Sequence, residues 1–482
     1  MVQAGERRRP PRGFGNRPPR PDNRRDVSIR TAIIVLSAAA AVLLGVLVIL
    51  HAPWVTGPHF WRWPYRRLPA WPLYGLMAVA AVPVFVAQLV YRSSARGALP
   101  AALGLVTLGC FALKLASVLP HTDPPSLDLV QVIVEDRNTT SYYTDAAALG
   151  SAHAVRQWLP LFPQYMPALS LHSKTKAPGP ILYWSGVQRL LGVGRRAALV
   201  GGLALGLLGA VSVIATYVLL RGLTRDRDAA FAGATFMSLC PGFVLFFPMF
   251  DPAYPILSCA IVGAWVGAVD RRDGRLALLT GALLALACVV AFNVLVIGTF
   301  LAAYALVMPA AEPLRARAIR ALKLGVVAIS AWLALLALMI PTTGYDAFAT
   351  FVSAWRNQHE LLRRHAETRP YPQTIPFDLS DFAFGAAWSG AVLALGYFAD
   401  RAARGDTRLA RLSMLCVAQL VFVAVTGLLQ METARVWIFM LPLLMVPVGL
   451  ELRAWTPRWR MLAYAATWFA TAAVAQNVKL LY

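Results

Sequence analysis

Serial apolar runs constrain the fold of this chain more than any other feature of its sequence. Runs such as residues 31–50 and 197–220 approach or exceed the roughly 20 apolar residues that a helix needs to cross a bilayer. Hydrophobic residues make up 58% of the 482 residues, and charged residues only 14%. Length alone would fit two or three soluble domains, but soluble domains do not contain such runs in series. The sequence therefore predicts an all-α integral membrane protein.

The hydropathy pattern predicts about thirteen transmembrane helices. The apolar segments lie near residues 31–51, 71–91, 98–118, 197–220, 229–249, 252–270, 276–291, 294–309, 324–341, 383–399, 409–428, 436–451 and 460–478. The segments 276–291 and 294–309 are short and could form one kinked span, although Asn293 at their junction favours a turn.

Arginine placement predicts the orientation, because basic residues accumulate in cytoplasmic loops. If the N-terminus is cytoplasmic, the basic clusters near residues 92–96, 221–227, 271–275, 315–323, 401–411 and 453–460 all fall inside. Only Arg62, Arg66 and Arg67 in the first outer loop oppose this pattern. The predicted location is the cell membrane, with the functional site on the outer face.

Residues 179–194 decide the span count. This segment has about 16 residues and contains Gln188 and Arg189. Treating it as a span would move the later basic loops to the outside, so we interpret it as an amphipathic helix on the outer surface. Two long polar loops, 119–196 and 342–382, then face outward, and the first also contains a helical pattern over Tyr142–Leu159. Long loops of this kind are usually functional.

The net charge of +22 does not indicate nucleic-acid binding. Residues 1–30 contain nine arginines and five prolines against three acids, which predicts a disordered basic cytoplasmic tail next to anionic lipid. A docking arm for protein or lipid is the alternative. The five cysteines, at positions 110, 240, 259, 288 and 416, lie in apolar runs without CxxC spacing, so neither disulfides nor a zinc knuckle is predicted.

The candidate binding motif is His172-Ser-Lys174-Thr-Lys176-Ala-Pro-Gly-Pro180. Two of the five lysines of the chain lie here, directly before a Pro-Gly-Pro that would open a helix. Lysine binds phosphate as a point charge. The motif therefore predicts a site for a charged, phosphorylated, lipid-linked substrate. The alternatives are that Lys174 and Lys176 anchor lipid headgroups and that His172 is an ordinary surface histidine.

Several acidic residues lie near this motif or near the outer ends of spans. The outer loop contains Asp123, Asp128, Glu135, Asp136 and Asp145. Asp251 lies between two spans, where an acid is a functional candidate. Because it precedes Pro252, the alternative is that it is simply a helix N-cap. Arg435 leads an aromatic-rich span and is a further functional candidate. The alternative is that it merely forms an i,i+3 ion pair with Glu432. Lys114 near the outer end of the third span could snorkel to the interface or contact substrate.

These features resemble the GT-C membrane glycosyltransferases, a group that includes protein O-mannosyltransferases and the aminoarabinose transferase of lipid A. The resemblance covers residues 98–452. It consists of a span, an outer loop with an early acid, two surface helices, the turn Lys176–Trp184, a later acid beside a span, and the late turn Glu432–Phe439. The remaining parts would be the tail 1–30, two accessory spans in 31–97, and a terminal span in 453–482.

The resemblance implies an inverting sugar transfer from a polyprenyl-phosphate carrier to a lipid, glycan or protein acceptor. Lys174, Lys176 and Arg435 would bind the donor phosphate, and Asp145 would act as the base. Thr139-Thr140 stands where an acidic pair is expected, so Glu135-Asp136 is the alternative to Asp145. Asp251 would be a further catalytic acid. His172 with Asp251 and Asp145 could hold a divalent metal such as Mg²⁺, Mn²⁺ or Zn²⁺.

Two other classes of protein remain open. The first is a polytopic transporter or lipid flippase, against which the sequence shows no inverted repeat of broken helices. The second is a non-catalytic subunit of a membrane assembly.

Overall fold

The fold is helical throughout the part of the chain that the structure describes. The computed structural model describes residues 23–481 apart from 94, 123, 153, 309–311, 365–366, 368–369 and 403–406. Within these residues there is no β-strand, and Tyr65 and Val478 form an isolated bridge. The prediction of an all-α protein is confirmed.

The first half of the chain forms three long helices, followed by several short helices before the next long one. In order these are α1 (Asn23–Ile49), α2 (Ala70–Arg92), α3 (Ala98–Val118), α4 (Asp128–Glu135), α5 (Tyr142–Ala152), α6 (Val155–Trp158), α7 (Phe162–Tyr165), α8 (Gly179–Leu191), α9 (Arg195–Thr224), α10 (Arg227–Met237) and α11 (Pro241–Val244).

The second half continues with α12 (Tyr254–Arg271), α13 (Gly274–Val290), α14 (Gly298–Val307), α15 (Leu314–Thr343), α16 (Ala347–Arg364), α17 (Thr374–Gly385), α18 (Ser389–Ala402), α19 (Thr407–Thr426), α20 (Thr433–Val436), α21 (Leu441–Arg453) and α22 (Pro457–Asn477). Short 3₁₀ helices cover Leu119–His121, Met166–Ala168, Ser173–Thr175, Asp251–Ala253, Phe292–Ile297 and Ile438–Met440.

Seven helices in the described residues are long and apolar enough to cross a membrane, so the chain is a membrane protein in this coarse sense. They are Ile29–Ile49, Ala70–Arg92, Ala98–His121, Arg195–Thr224, Asp251–Arg271, Leu314–Thr343 and Arg408–Thr426. Helices α17 and α18 form a broken pair bent by 102°, and two shorter apolar helices cover Gly274–Val290 and Phe292–Val307. The total of thirteen spans stays a prediction.

Three of the predicted spans are not continuous helices. Segment 229–249 contains α10, a break at Cys240 and the short α11, because Pro241 starts a new helix. Segment 383–399 is interrupted at Ala387 and Trp388, both of which have positive φ. Segment 436–451 consists of the end of α20, a 3₁₀ turn and α21. Sequence hydropathy cannot locate these breaks because apolar residues continue through them.

The first two helices pack against the last one. α1 packs against α22 and α18, and α2 packs against α3 and α22. Helices α10 and α21 approach closely through Gly233 and Gly449, since a Cβ on Gly449 would lie 2.3 Å from the Ala229 carbonyl oxygen. Helix α1 begins at Asn23, within the predicted tail 1–30, and residues 1–22 lie outside the described part.

Lys114 corrects another expectation. Its side chain does not snorkel to the membrane surface but is completely buried in α3. Its Nζ donates to the Phe243 carbonyl oxygen and lies 4.4 Å from the centroid of the Phe243 ring. A buried ammonium needs such partners. Lys114 therefore holds the irregular segment that leads from α11 to Asp251.

Candidate functional site

The candidate site is a cavity of about 420 Å³ between the lysine-bearing turn, the 3₁₀ helix Phe292–Ile297, α16 and the loop before α20. Its walls are largely apolar, with Phe292, Leu295, Val296, Phe351, Ala354, Trp355, Leu361, Leu428 and Leu429. Its polar lining includes His172, Lys176, Asn293, Gln358, Gln430, Glu432 and Arg435. An apolar cavity with few polar groups is the usual form of a small-molecule site.

The charged residues of the cavity meet around Arg435. This side chain is only 12% exposed, forms an ion pair with Glu432, and has its Nη1 3.7 Å from the Met249 sulfur. Asp251, in the 3₁₀ helix that precedes α12, interacts electrostatically with Arg435 and Lys176. The structure therefore brings together residues that the sequence singled out and that lie far apart along the chain: His172 and Arg435 are 263 positions apart. The described lining of the cavity contains two cations, Lys176 and Arg435, and one carboxylate, Glu432, whereas Asp251 is not among the lining residues. The lining itself therefore carries an excess of positive charge, which suits an anion.

His172 lies in the same cluster. Its Nε2 is 2.9 Å from the Asn138 carbonyl oxygen, so the tautomer with a proton on Nε2 donates to that carbonyl. Burial, helped by the charges of Arg435 and Lys176 and opposed by Glu432, lowers the pKa of His172 to about 4. A neutral imidazole at physiological pH leaves the cationic character of the cavity to Lys176 and Arg435.

Asp145 lies beside the cluster and supports the lysine-bearing turn. It is 8% exposed, and its two oxygens accept hydrogen bonds from the Ser170 amide at 3.2 Å and the Ser170 hydroxyl at 2.9 Å. Burial raises the pKa of Tyr142, and the negative charges of Asp251 and Asp145 raise it further. Tyr142 therefore lies near both carboxylates. The α5 residue predicted as the base thus fixes the segment that leads to His172.

The upstream acids serve the local fold. Asp136 accepts hydrogen bonds from the Asn138 amide at 3.1 Å and from the Thr139 hydroxyl, and Glu135 accepts from Gln131. None of these residues lines the cavity in the described part of the chain. Asp136 ends α4 and shapes the turn whose Asn138 carbonyl contacts His172.

The two lysines differ in position. Lys176 lines the cavity, whereas Lys174 is absent from the described lining and its backbone carbonyl accepts a hydrogen bond from Asn357 of α16 at 2.8 Å. This bond links the turn to α16. The predicted helix after the turn is present as α8, which buries Ile181 and Trp184. Its position on the membrane surface stays a prediction.

The metal that the sequence predicts at His172 and Asp251 stays a prediction. No group of three or more His, Cys, Asp and Glu side chains forms a possible metal site within the described residues. The His172 Nε2 is engaged by Asn138, and Lys176 and Arg435 would repel a cation near Asp251. We therefore assign no step to a metal.

Two aspartates on α17 were missed from the sequence. Asp378 accepts a hydrogen bond from the Met431 amide at 2.8 Å, and Asp381 accepts from the Ala434 amide at 2.9 Å and from the Trp63 indole at 2.8 Å. Both aspartates are buried. They clamp the loop that presents Glu432 and Arg435.

This loop is strained as well as clamped. Met431 and Glu432 both have positive φ, of 67° and 51°, which costs free energy for residues other than glycine. Gly242 lets the backbone approach closely, because a Cβ there would lie 2.5 Å from the Ala434 carbonyl oxygen. The Asp381 clamp and this contact hold Arg435 in place. The only sequence signal for this clamp is the i,i+3 spacing of the two aspartates in α17.

No protein-family model matches the chain, and no curated protein matches its sequence.

Proposed function

We propose that this chain is a membrane glycosyltransferase of the GT-C type, which transfers a sugar from a polyprenyl-phosphate donor to an acceptor outside the membrane. The observation that carries the proposal is the arrangement of Lys176, Arg435 and Asp251 beside a cavity with mainly apolar walls. Such a cavity suits an amphiphile with an anionic group. A lipid phosphate has this chemistry.

The reaction assigns a role to each of these groups. The acceptor oxygen forms a bond to the anomeric carbon while the bond from that carbon to the phosphate oxygen breaks. Asp251 takes the acceptor proton, and Lys176 and Arg435 stabilise the charge on the departing polyprenyl phosphate. We favour Asp251 over Asp145 as base because both oxygens of Asp145 are engaged by Ser170.

The proposed orientation puts this cavity on the outer side of the cell membrane, with the N-terminus inside. Helix α16 supports a position of the cavity near a membrane surface, and the choice of the outer surface comes from the placement of the arginines. Three residues separate α16 from α15, and Phe348, Phe351 and Trp355 are exposed along α16. An amphipathic helix with exposed aromatic residues next to a span is typical of the membrane interface. A lipid donor would reach the cavity along this helix.

A lipid flippase is the second candidate. The bent pair α17 and α18 favours it, because discontinuous helices form the substrate sites of many transporters. The buried acids of α17, however, accept hydrogen bonds from the loop before α20 and from Trp63. They are therefore engaged in local structure, which supports the transferase.

A binding experiment tests the phosphate site directly. Farnesyl phosphate and farnesol share a prenyl chain and differ in the phosphate, so their affinities for the purified protein isolate the charge. Wild type should prefer farnesyl phosphate, and Lys176→Gln should reduce this preference. Lys174→Gln is the matched control and should keep it. Equal affinity of wild type for both compounds would contradict the proposal.

A further inference from the structure

Asn293 is a buried amide in an apolar segment, and the proposed transfer reaction does not use it. It lies in the 3₁₀ helix Phe292–Ile297, and every residue from Val289 to Ile297 other than Asn293 is apolar. The side chain is 7% exposed, and its Oδ1 is buried without a hydrogen-bond partner in the described residues. Burying such an acceptor is unfavourable unless a bound group satisfies it.

The same cavity presents two further carboxamides, from Gln358 of α16 and Gln430 of the loop before α20. Carboxamides both donate and accept hydrogen bonds, as sugar hydroxyls do. Aromatic rings lie among them: the centroid of Phe351 is 5.4 Å from that of Phe292 and 6.3 Å from that of Trp355. Flat apolar rings with neutral hydrogen-bonding groups suit an uncharged polyhydroxyl ring.

The charges of the cavity also favour an uncharged sugar. Glu432 is the only carboxylate in the described lining, and it is paired with Arg435. Lys176 and Arg435 are assigned to the phosphate. We propose that Asn293 is a specificity-determining residue whose amide oxygen accepts a hydrogen bond from a hydroxyl of an uncharged sugar. This inference rests on the proposed function and names the class of sugar.

The first test needs no ligand. If the Asn293 Oδ1 has no partner in the ligand-free protein, replacement by an apolar residue of similar size removes an unsatisfied group and stabilises the fold. Asn293→Leu should therefore raise the Tm. Gln88→Leu is the matched control: Gln88 is a buried amide on α2 that donates to Thr235, so its replacement should lower the Tm. A lower Tm for Asn293→Leu would show that Asn293 is bonded structurally and would overturn the inference.

The second test measures sugar binding. The probes are farnesyl phosphate, its esters with glucose, mannose, galactose and arabinose, and its ester with glucuronic acid. At least one neutral ester should bind wild type more tightly than farnesyl phosphate, and Asn293→Leu should remove about 3–10-fold of that affinity, the scale of one hydrogen bond. Farnesyl phosphate itself should bind the variant unchanged, and the glucuronyl ester should gain nothing.

The outcomes separate the two proposals. If farnesyl phosphate binds no better than farnesol, the proposed function fails, and this inference fails with it. If farnesyl phosphate binds well but no neutral ester gains affinity, or the gain persists in Asn293→Leu, the phosphate site stands and the role of Asn293 is refuted.

Discussion

Replacing Arg435 by glutamine should weaken the binding of a lipid phosphate more than any other single change in the cavity. Arg435 is only 12% exposed, so its charge is little screened by water. Hydrogen bonds to charged groups contribute about 1.5–3 kcal/mol, which corresponds to roughly 10–150-fold in affinity. Because Arg435→Gln also removes the guanidinium that offsets the charge of Glu432, the carboxylate repels the phosphate more strongly, and the loss should lie near the upper end of this range.

The assay is calorimetric titration of purified protein with farnesyl phosphate and with farnesol at neutral pH. Adding Glu432→Gln to the Arg435→Gln variant should restore part of the affinity, because it removes the repulsion. Arg356→Gln is the control for nonspecific attraction, since Arg356 is an exposed arginine on α16. Farnesol binding should be the same in all variants. A loss of less than twofold in Arg435→Gln would refute the assignment of the phosphate to Arg435.

Three further predictions concern the surroundings of the cavity. The pKa of His172 is about 4 in the folded protein and 6.5 ordinarily, so between these pH values the unfolded state binds more protons and the free energy of unfolding rises with pH. His172→Gln should therefore flatten the rise of Tm with pH in this range. An unchanged slope would contradict the prediction. Asp381→Asn cannot accept every hydrogen bond of the clamp, so hydrogen exchange should speed up at Ala434 and the preference for farnesyl phosphate should fall; a normal preference would limit Asp381 to a structural role. The native cysteines are buried, so labelling from outside should modify Gln373→Cys and not Arg271→Cys, whereas the reverse would invert the topology.

The helical membrane fold was predictable because hydropathy depends on composition over about 20 residues. The breaks inside predicted spans were not, since they depend on tertiary contacts. The stretch around Ala387 and Trp388 illustrates this: both residues have positive φ, yet neither is glycine or proline. Local propensity gives no signal for such a bend.

The charged residues of the candidate site can be singled out from their residue types and positions, and the structure brings them near one another. Lysine is rare in this chain, so Lys176 stood out, and acids or arginines at span ends are unusual enough to indicate Asp251 and Arg435. The contact between Asp145 and Ser170 was not predictable, because the two residues are 25 positions apart and meet only in the fold. The clamp by Asp381 was missed for the same reason: Trp63 and Ala434 approach it from distant parts of the chain.

Sugar transfer itself is the most direct test of the account. The purified protein would be reconstituted in lipid nanodiscs with polyprenyl-phosphate sugars and membrane acceptors from its source, and released polyprenyl phosphate would be measured by mass spectrometry. Wild type should release polyprenyl phosphate only when acceptor is present, and Asp251→Asn should reduce the rate by about 10²-fold or more, the scale of a lost general base. Movement of intact polyprenyl-phosphate sugar across the membrane, without release of polyprenyl phosphate, would contradict the transferase and identify a flippase.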